Sequence, residues 1–305
     1  MSPSPLSPAG SEADRLARVW WLLLGLGTFV VVVVLAAVLI ALFRGRRRWS
    51  ADESRTQMRF IIGGGLIFPV VILAVVAVAT VNTTSTLRRT AANAQVVDVT
   101  GDQWFWRISY PSEGITTANE LRLPVDRPAE IHLHSNDVVH SFWVPQLAGK
   151  LDLTPGESPV LRFTPHDVGT FRGECAEFCG LQHANMNFVV DVMSQQDFDD
   201  WTRAHESAPT APSDPLAAQG RALFGDLACA GCHTVRGLTD GTIGPDLTDV
   251  GERSTLGAGT VPNDDAHLST WINNARLAKP GAKMPPIQLT ADQLTALVAY
   301  LRTLR

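Results

Sequence analysis

Two short stretches carry donor atoms at spacings that bind metals. GECAEFCGLQHANM, residues 173–186, holds Cys175, Cys179, His183 and Met186. CAGCH, residues 229–233, holds Cys229, Cys232 and His233. These are the chain's 4 cysteines. An even number in an oxidising compartment usually pairs as disulfides, but pairing would leave the neighbouring histidines and Met186 without a role. C-x-x-C-H is the attachment pattern of a c-type haem, with two thiols bonded to the haem on one turn and the next histidine facing the iron. A thioredoxin-like thiol pair would need a surrounding β-α-β pattern, which is missing around CAGCH. Of the 5 methionines, Met1 and Met58 are at the membrane-type runs and Met186 and Met193 belong to the β-branched stretch, so only Met284, in AKMPP, shares the C-terminal helical part with CAGCH. It is the candidate second iron ligand, with His267 or an open position as rivals. His/Met ligation raises the haem potential and suits electron transfer.

Residues 173–186 on their own permit a disulfide, the hook of a Sco-type copper chaperone, or an electron-transfer copper site. A chaperone hook has no use for H-x-x-M directly after its cysteines. A single blue copper takes one cysteine, two histidines and a weak methionine, and here there is one cysteine more. Two thiolates, two histidines, one methionine and one main-chain carbonyl form a set for two coppers bridged by both sulfurs, since soft thiolate and imidazole favour copper. The second histidine must come from elsewhere. His140, in NDVVHSFWVP, is the best candidate. His132 and His134 alternate with Ile131 and Leu133, the pattern of a solvated strand face. His166 and His205 look like turn and helix-end residues.

Three kinds of element must carry these groups. Val19–Phe43 and Phe60–Val81 are apolar runs without charge. A span needs about 20 residues and a signal-peptide core only about 7–15, so both are predicted to cross a membrane. Gly63–Gly65 and Pro69 interrupt the second, which membrane helices tolerate. The basic cluster Arg44–Arg48 puts the connecting loop in the cytoplasm. Arg15 and Arg18 oppose this but are sparser. Both termini and everything after the second span are then extracytoplasmic. From Gln95 to about Val192, β-branched runs separated by turn residues predict a compact antiparallel β domain, a sandwich or barrel. QQDFDDWTRAHE is predicted to close it as a helix. ESAPTAPSDP, residues 206–215, has linker composition. The remainder is helical, and its last helix is opened by the capping-box pair Thr290 and Gln293. At about 90 residues this domain is small enough to need a staple or a large buried cofactor. The predicted division is 1–90 with spans at about 19–43 and 60–82, 91–205, the linker 206–215, and 216–305. The net charge of −5 and the lack of a basic stripe argue against a nucleic-acid partner.

The C-terminal part resembles class I cytochrome c across its length, in Gly220, CAGCH, IGPDL, KMPP and Tyr300. The resemblance implies that Cys229 and Cys232 hold haem c, that His233 and Met284 bind its iron, that the Pro245 carbonyl orients His233, and that the terminal helices cross near Gly220. The spans and β domain resemble cytochrome c oxidase subunit II, in GDQWFW, ELRLPVD, NDVVHSFWVP and CAEFCGLQHANM. That resemblance implies a cupredoxin-like Greek-key barrel with the binuclear copper centre CuA. His140, Cys175, Cys179, His183 and Met186 would be side-chain ligands and Glu177 a main-chain ligand. The Glu177 carboxylate would reach a magnesium ion shared with subunit I, and Trp104 would be the electron-input tryptophan. Packing beneath the site is the plainer role for Trp104 and Trp106.

The two resemblances together are to subunit II of a caa(3)-type oxidase. They imply subunits I and III as partners, with a cytochrome c or a cytochrome bc complex as donor. They also imply that oxygen is reduced, and protons pumped, in subunit I. A nitric oxide reductase input subunit and a copper-delivery protein are the rival readings. A quinol oxidase subunit would have no use for these ligands. One feature departs from the family. Ile62 stands where it often has a glutamate linked to proton uptake, leaving Asp52, Glu53 or subunit I to serve. The tether makes the haem–copper encounter intramolecular, at an effective concentration on the order of mM. Cutting within Ala208–Pro215 is therefore predicted to slow that transfer.

Overall fold

The computed structural model describes residues 4–43, 54–87 and 92–305. The Arg44–Arg48 cluster, Asp52 and Glu53 lie outside them. Two helical segments are long and apolar enough to cross a membrane, Ser11–Phe43 and Gln57–Ser85. The first is one helix, α1 (Ser11–Phe43). The second joins α2 (Ser54–Ile62) through a wide π-helical turn, Gly63–Ile67, to α3 (Phe68–Leu87). In that turn the Phe68 N–H bonds to the Gly63 carbonyl five residues back. Pro69 follows without an N–H to donate, so the backbone widens just before it. Ile62 is the last residue of α2.

The β domain comprises ten strands in two five-stranded sheets. The first sheet has the order β3-β2-β1-β5-β8, where β1 is Gln95–Asp102, β2 Phe105–Tyr110, β3 Ile115–Ala118, β5 Ala129–Ser135 and β8 Val160–Phe163. The second has the order β4-β10-β9-β6-β7, with β4 Glu120–Pro124, β6 His140–Trp143, β7 Leu151–Leu153, β9 Gly169–Cys175 and β10 Asn187–Met193. The sequence predicts an antiparallel domain, but two of the pairings are parallel. β1 runs parallel to β5, and β4 parallel to β10. The chain crosses to the other sheet at β4 before returning at β5, and such crossovers permit parallel neighbours. Alternate residues of β1 are buried. They meet Trp106, Leu121, Leu133 and Phe188 in one core.

Residues before the first span are part of this domain. The Ala9 N–H donates to the Gln146 carbonyl at 2.7 Å, and the Ser11 N–H to Thr164 at 2.9 Å. Helix α4 (Gln195–His205), capped by Ser194, closes the far side.

The helical domain follows with α5 (Pro215–Asp226), the single turn α6 (Cys229–Cys232), α7 (Asp265–Ala278) and α8 (Ala291–Arg302). Two short two-stranded ribbons lie between α6 and α7. α5 and α8 cross at Gly220, where a Cβ would stand 1.9 Å from the Ala296 carbonyl oxygen, so no other residue fits. The Thr290–Gln293 capping box forms. Leu297, Leu301 and Leu304 are buried, with Leu294 packed beside them.

The linker does not leave the helical domain swinging free. Charged side chains bury themselves between it and the β domain. The Thr117 hydroxyl donates to Asp249 at 2.6 Å, and the Ser254 N–H and hydroxyl donate to Glu120 at 2.7 and 2.8 Å. Arg253 and Arg122 both face Asp249. Asp249 is 1% exposed. Burial alone would raise its carboxyl, but Arg253, the Thr117 hydroxyl and Arg122 outweigh that and hold it below the usual range. Breaking such a pair by removing one member is strongly destabilising.

Candidate metal centres

The end of β9 and the turn after it bring the copper-type donors together. Cys175 is the last residue of β9, and β6 pairs with β9 beside it, which places His140 across from the loop. Cys175 Sγ and Cys179 Sγ lie 3.7 Å apart, unbonded. His140 Nδ1 lies 3.9 Å from Cys175 Sγ, and His183 Nδ1 lies 3.8 Å from Cys179 Sγ. Met186 Sδ stands 3.8 Å from Cys179 Sγ, and the Glu177 carbonyl is 3.2 Å from Cys175 Sγ. Each sulfur thus faces one imidazole, and two weaker donors flank the pair. His140, Cys175, Cys179 and Met186 are all buried. Hydrogen bonding to Cys179, with help from His140, holds the Cys175 thiol down to about 3 against burial, while the same partnership pushes Cys179 up.

A supporting layer fixes these donors. His140 Nε2 bonds Asp137 Oδ1 at 2.8 Å, leaving Nδ1 to face the sulfurs. A partner of this kind is what a ligating histidine requires. Asp137 also accepts from the N–H groups of Gln103 and Val138. The Gln103 amide and the Trp104 indole both donate to the Cys179 carbonyl, at 2.7 and 3.1 Å. Gly180, at φ +112°, lets them come this close, because a Cβ there would sit 3.2 Å from the Trp104 ring. The two tryptophans divide their work. Trp106 is fully buried and packs edge-on to Phe142 and Phe188 beneath the site. Trp104 is only half-buried and faces the helical domain. The Glu177 carboxylate points outward to Lys150, 3.5 Å away.

The second centre encloses space. A cavity of about 280 Å³ is walled by Cys229, Cys232, His233 and Met284 together with apolar side chains such as Phe224, Leu268 and Leu297. These groups fit a haem attached through α6 with an axial ligand on each side. His233 Nδ1 bonds the Pro245 carbonyl at 2.8 Å, which leaves Nε2 for iron. Burial first, then Arg253, lowers the His233 pKa, which favours the neutral imidazole that a metal needs. His267 is absent from the cavity wall and bonds its own helix cap, Asp264, at 2.7 Å.

The remaining histidines are placed as follows. His132 pairs with Asp98 on the solvated face of β5, and His134 bonds Ser158. His205 does end a helix, but it is buried and faces Glu252 of the helical domain at 3.5 Å. Sequence reasoning gave no sign of that contact, because its partner lies 47 residues on (252 − 205). Lys279 was also missed. It is 3% exposed and donates to three carbonyls drawn from both domains. Burial pushes its ammonium down to about 7, against which the three carbonyls favour the charged form.

Fold and sites define an electron-transfer protein with two membrane-spanning helices, a cupredoxin-like β domain and a helical cytochrome c domain. Residues 112–193 match the family described as cytochrome C oxidase subunit II, periplasmic domain, and residues 217–305 match cytochrome c. The cytochrome c oxidase subunit 2 of Alkalihalophilus pseudofirmus is 33% identical over 98% of this chain and 90% of its own length. That of Bacillus subtilis is 30% identical over 99% and 92%. A crystal structure of the periplasmic domain of subunit II of a Bradyrhizobium japonicum cytochrome oxidase aligns with 39% of this chain and 97% of its own, at 25% identity and a TM-score of 0.37.

The chain belongs to the cytochrome c oxidase subunit II family, in the form that carries a C-terminal cytochrome c domain. It is the electron-input subunit of a haem-copper oxidase, a membrane protein that associates with subunit I and uses copper and haem.

Proposed function

We propose that His140, Cys175, Cys179, His183, Met186 and the Glu177 carbonyl hold two coppers. One haem c would be joined to Cys229 and Cys232 and held between His233 and Met284. Bound there, these groups supply reversible one-electron storage on the path to oxygen reduction in subunit I. The chain's own residues do the rest. The two sulfurs, each with one imidazole, offer a nearly symmetric donor set. Sharing one electron over two such metals spreads the change in geometry and lowers the cost of transfer. Asp137 and Pro245 hold the two ligand imidazoles in fixed orientation. Trp104 takes the electron-input role, supported by its indole bond to the ligand loop and its place on the wall of the haem cavity.

The finer topology follows the same reading. Residues 9–11 before the first span bond to the β domain after the second, which supports both termini on the periplasmic side. The donor would be a cytochrome c or a cytochrome bc complex, and subunit III would complete the assembly. The Glu177 carboxylate, paired here with Lys150, would turn to a magnesium ion shared with subunit I. The comparisons favour neither a nitric oxide reductase nor copper delivery. The observation that carries the proposal is the mutual approach of two sulfurs, two imidazoles and a thioether within one loop and one strand end. Electron paramagnetic resonance of the full chain, with metal and haem counts, tests it. Two coppers sharing one unpaired electron and one c-type haem are expected. A copper signal that persists after Cys175→Ser or Cys179→Ser would sink the bridging assignment.

A further inference from the structure

At β3 and β4 the two domains meet through side chains of the β domain, Thr117 and Arg122 on Asp249 and Glu120 on Ser254. Lys279 is different. It follows α7, with its own N–H bonded to the Ala275 carbonyl at 2.9 Å. Its Nζ donates to the carbonyls of Trp104 at 2.9 Å, Asn185 at 2.7 Å and Gly257 at 2.7 Å. An ammonium has three donors, and all three are used.

The identity of the acceptors matters. Trp104 carries the indole that bonds the Cys179 carbonyl. Asn185 immediately precedes Met186. Gly257 belongs to the helical domain and lies against Trp271, which lines the haem cavity. Five residues beyond Lys279 comes Met284. Between them Gly281 turns with φ +87°, and a Cβ there would stand 2.7 Å from Leu181 and 3.7 Å from the Trp104 ring. One buried cation therefore joins the tryptophan turn, the end of the ligand loop and the segment leading to Met284. An apolar side chain could fill this volume, but it would tolerate sliding. A buried ammonium does not, because displacement leaves N–H groups unpaired at a large penalty.

We propose that Lys279 is a positioning residue for electron transfer between the two centres, holding Trp104, the copper-ligand loop and the Met284 segment in a single register. The inference rests on the ligand assignment above. The step it serves moves one electron. A haem held by His233 and Met284 would give up that electron and coppers held by the Cys175–Met186 loop would take it, with no bond or proton changing place.

The test uses the full metal-loaded chain with Lys279→Met and Lys279→Gln. Three readouts are taken: the haem and copper spectra, the rate of haem-to-copper equilibration after flash reduction, and amide hydrogen exchange. With Met, both spectra stay as in the unmodified chain and exchange protection around Thr117 and Ser254 is retained. Protection at residues 103–105 and 279–284 falls. The equilibration rate drops severalfold, since electron tunnelling weakens with each added ångström between the two centres. Gln keeps two N–H donors and falls between. If Met prevents haem retention, the Gln variant decides on the same readouts. An unchanged rate overturns the proposal. So does a rate that falls only together with protection across the whole interface, since that marks a general structural role. Absence of the two spectra from the unmodified chain overturns the ligand assignment and this proposal with it.

Discussion

Around Cys175 the donor atoms already lie within 3.2–3.9 Å of one another. Around His233 the protein instead encloses about 280 Å³ of space. The first centre sits at the end of a sheet, with Cys175, Cys179 and Met186 already packed into the core of the β domain. Trp106, Phe142 and Phe188 pack edge-on and stacked below the ligands. The second centre is the middle of its domain, and Phe224, Leu268, Ile272 and Leu297 converge on the place where haem would lie. The β domain therefore presents a site to its metal, whereas the helical domain needs its cofactor as part of its core.

The largest test of that difference is to withhold each cofactor. The cavity of about 280 Å³ is open on one side, so a cost of about 24 cal/mol per Å³ sets an upper bound of about 7 kcal/mol. That is comparable with the whole stability of a small domain, about 5–15 kcal/mol. Cys229→Ala with Cys232→Ala, which leaves no attachment for haem, is expected to unfold α5, α7 and α8. Copper chelation should leave β1–β10 folded. Circular dichroism and domain-resolved hydrogen exchange check both, and a helical domain that stays folded without haem would break the contrast.

A smaller effect concerns what holds the two regions together. Asp249→Ala would leave Arg253 and Arg122 buried without their carboxylate. The expected loss is about 3–5 kcal/mol, seen as opening between the domains by exchange or limited proteolysis, with both metal spectra retained.

Smaller again is the pH response of His205. Burial works to lower its pKa, but Glu252 and the Trp201 carbonyl raise it above its ordinary value in the closed arrangement. This contribution is complete below pH 6.5 and is lost as pH rises through the raised value. The difference in interface protection between the unmodified chain and His205→Gln should therefore shrink on going from pH 6 to 9, by about 1 kcal/mol or less. A difference that grows with pH would reverse the assignment.

The smallest effect is expected from cutting the linker. Effective concentration alone predicts that a cut slows haem-to-copper transfer. The buried contacts of Asp249, Glu120 and Lys279 now predict that cleavage within residues 208–213 leaves haem-to-copper transfer unchanged. Stopped-flow measurement at two protein concentrations decides. A rate that depends on concentration would restore the tether as the main device.

Much of the site was legible because its residues are close in sequence. Cys175 to Met186 and Cys229 to His233 are local patterns, and their donor types and spacings restrict the metals they can hold. The apolar runs, the capping box at Thr290 and the close helix crossing at Gly220 are equally local, since each follows from helix period or steric limits within a few residues. The parallel pairing of β1 with β5 was not legible, because it depends on where the chain goes between them. Nor were the Asp137 bond to His140, the His205–Glu252 contact, or the three carbonyls on Lys279. A lysine and a helix-end histidine are ordinary surface residues by type. Only packing one domain on the other buries them, and burial turns a weak exposed charge into one that must find partners. The sequence by itself restricted the metals these motifs can hold and placed two apolar runs long enough to cross a membrane. The tertiary structure decided that the β and helical domains close on each other, because that depends on contacts such as Thr117–Asp249 and Lys279–Trp104 between residues far apart in the chain.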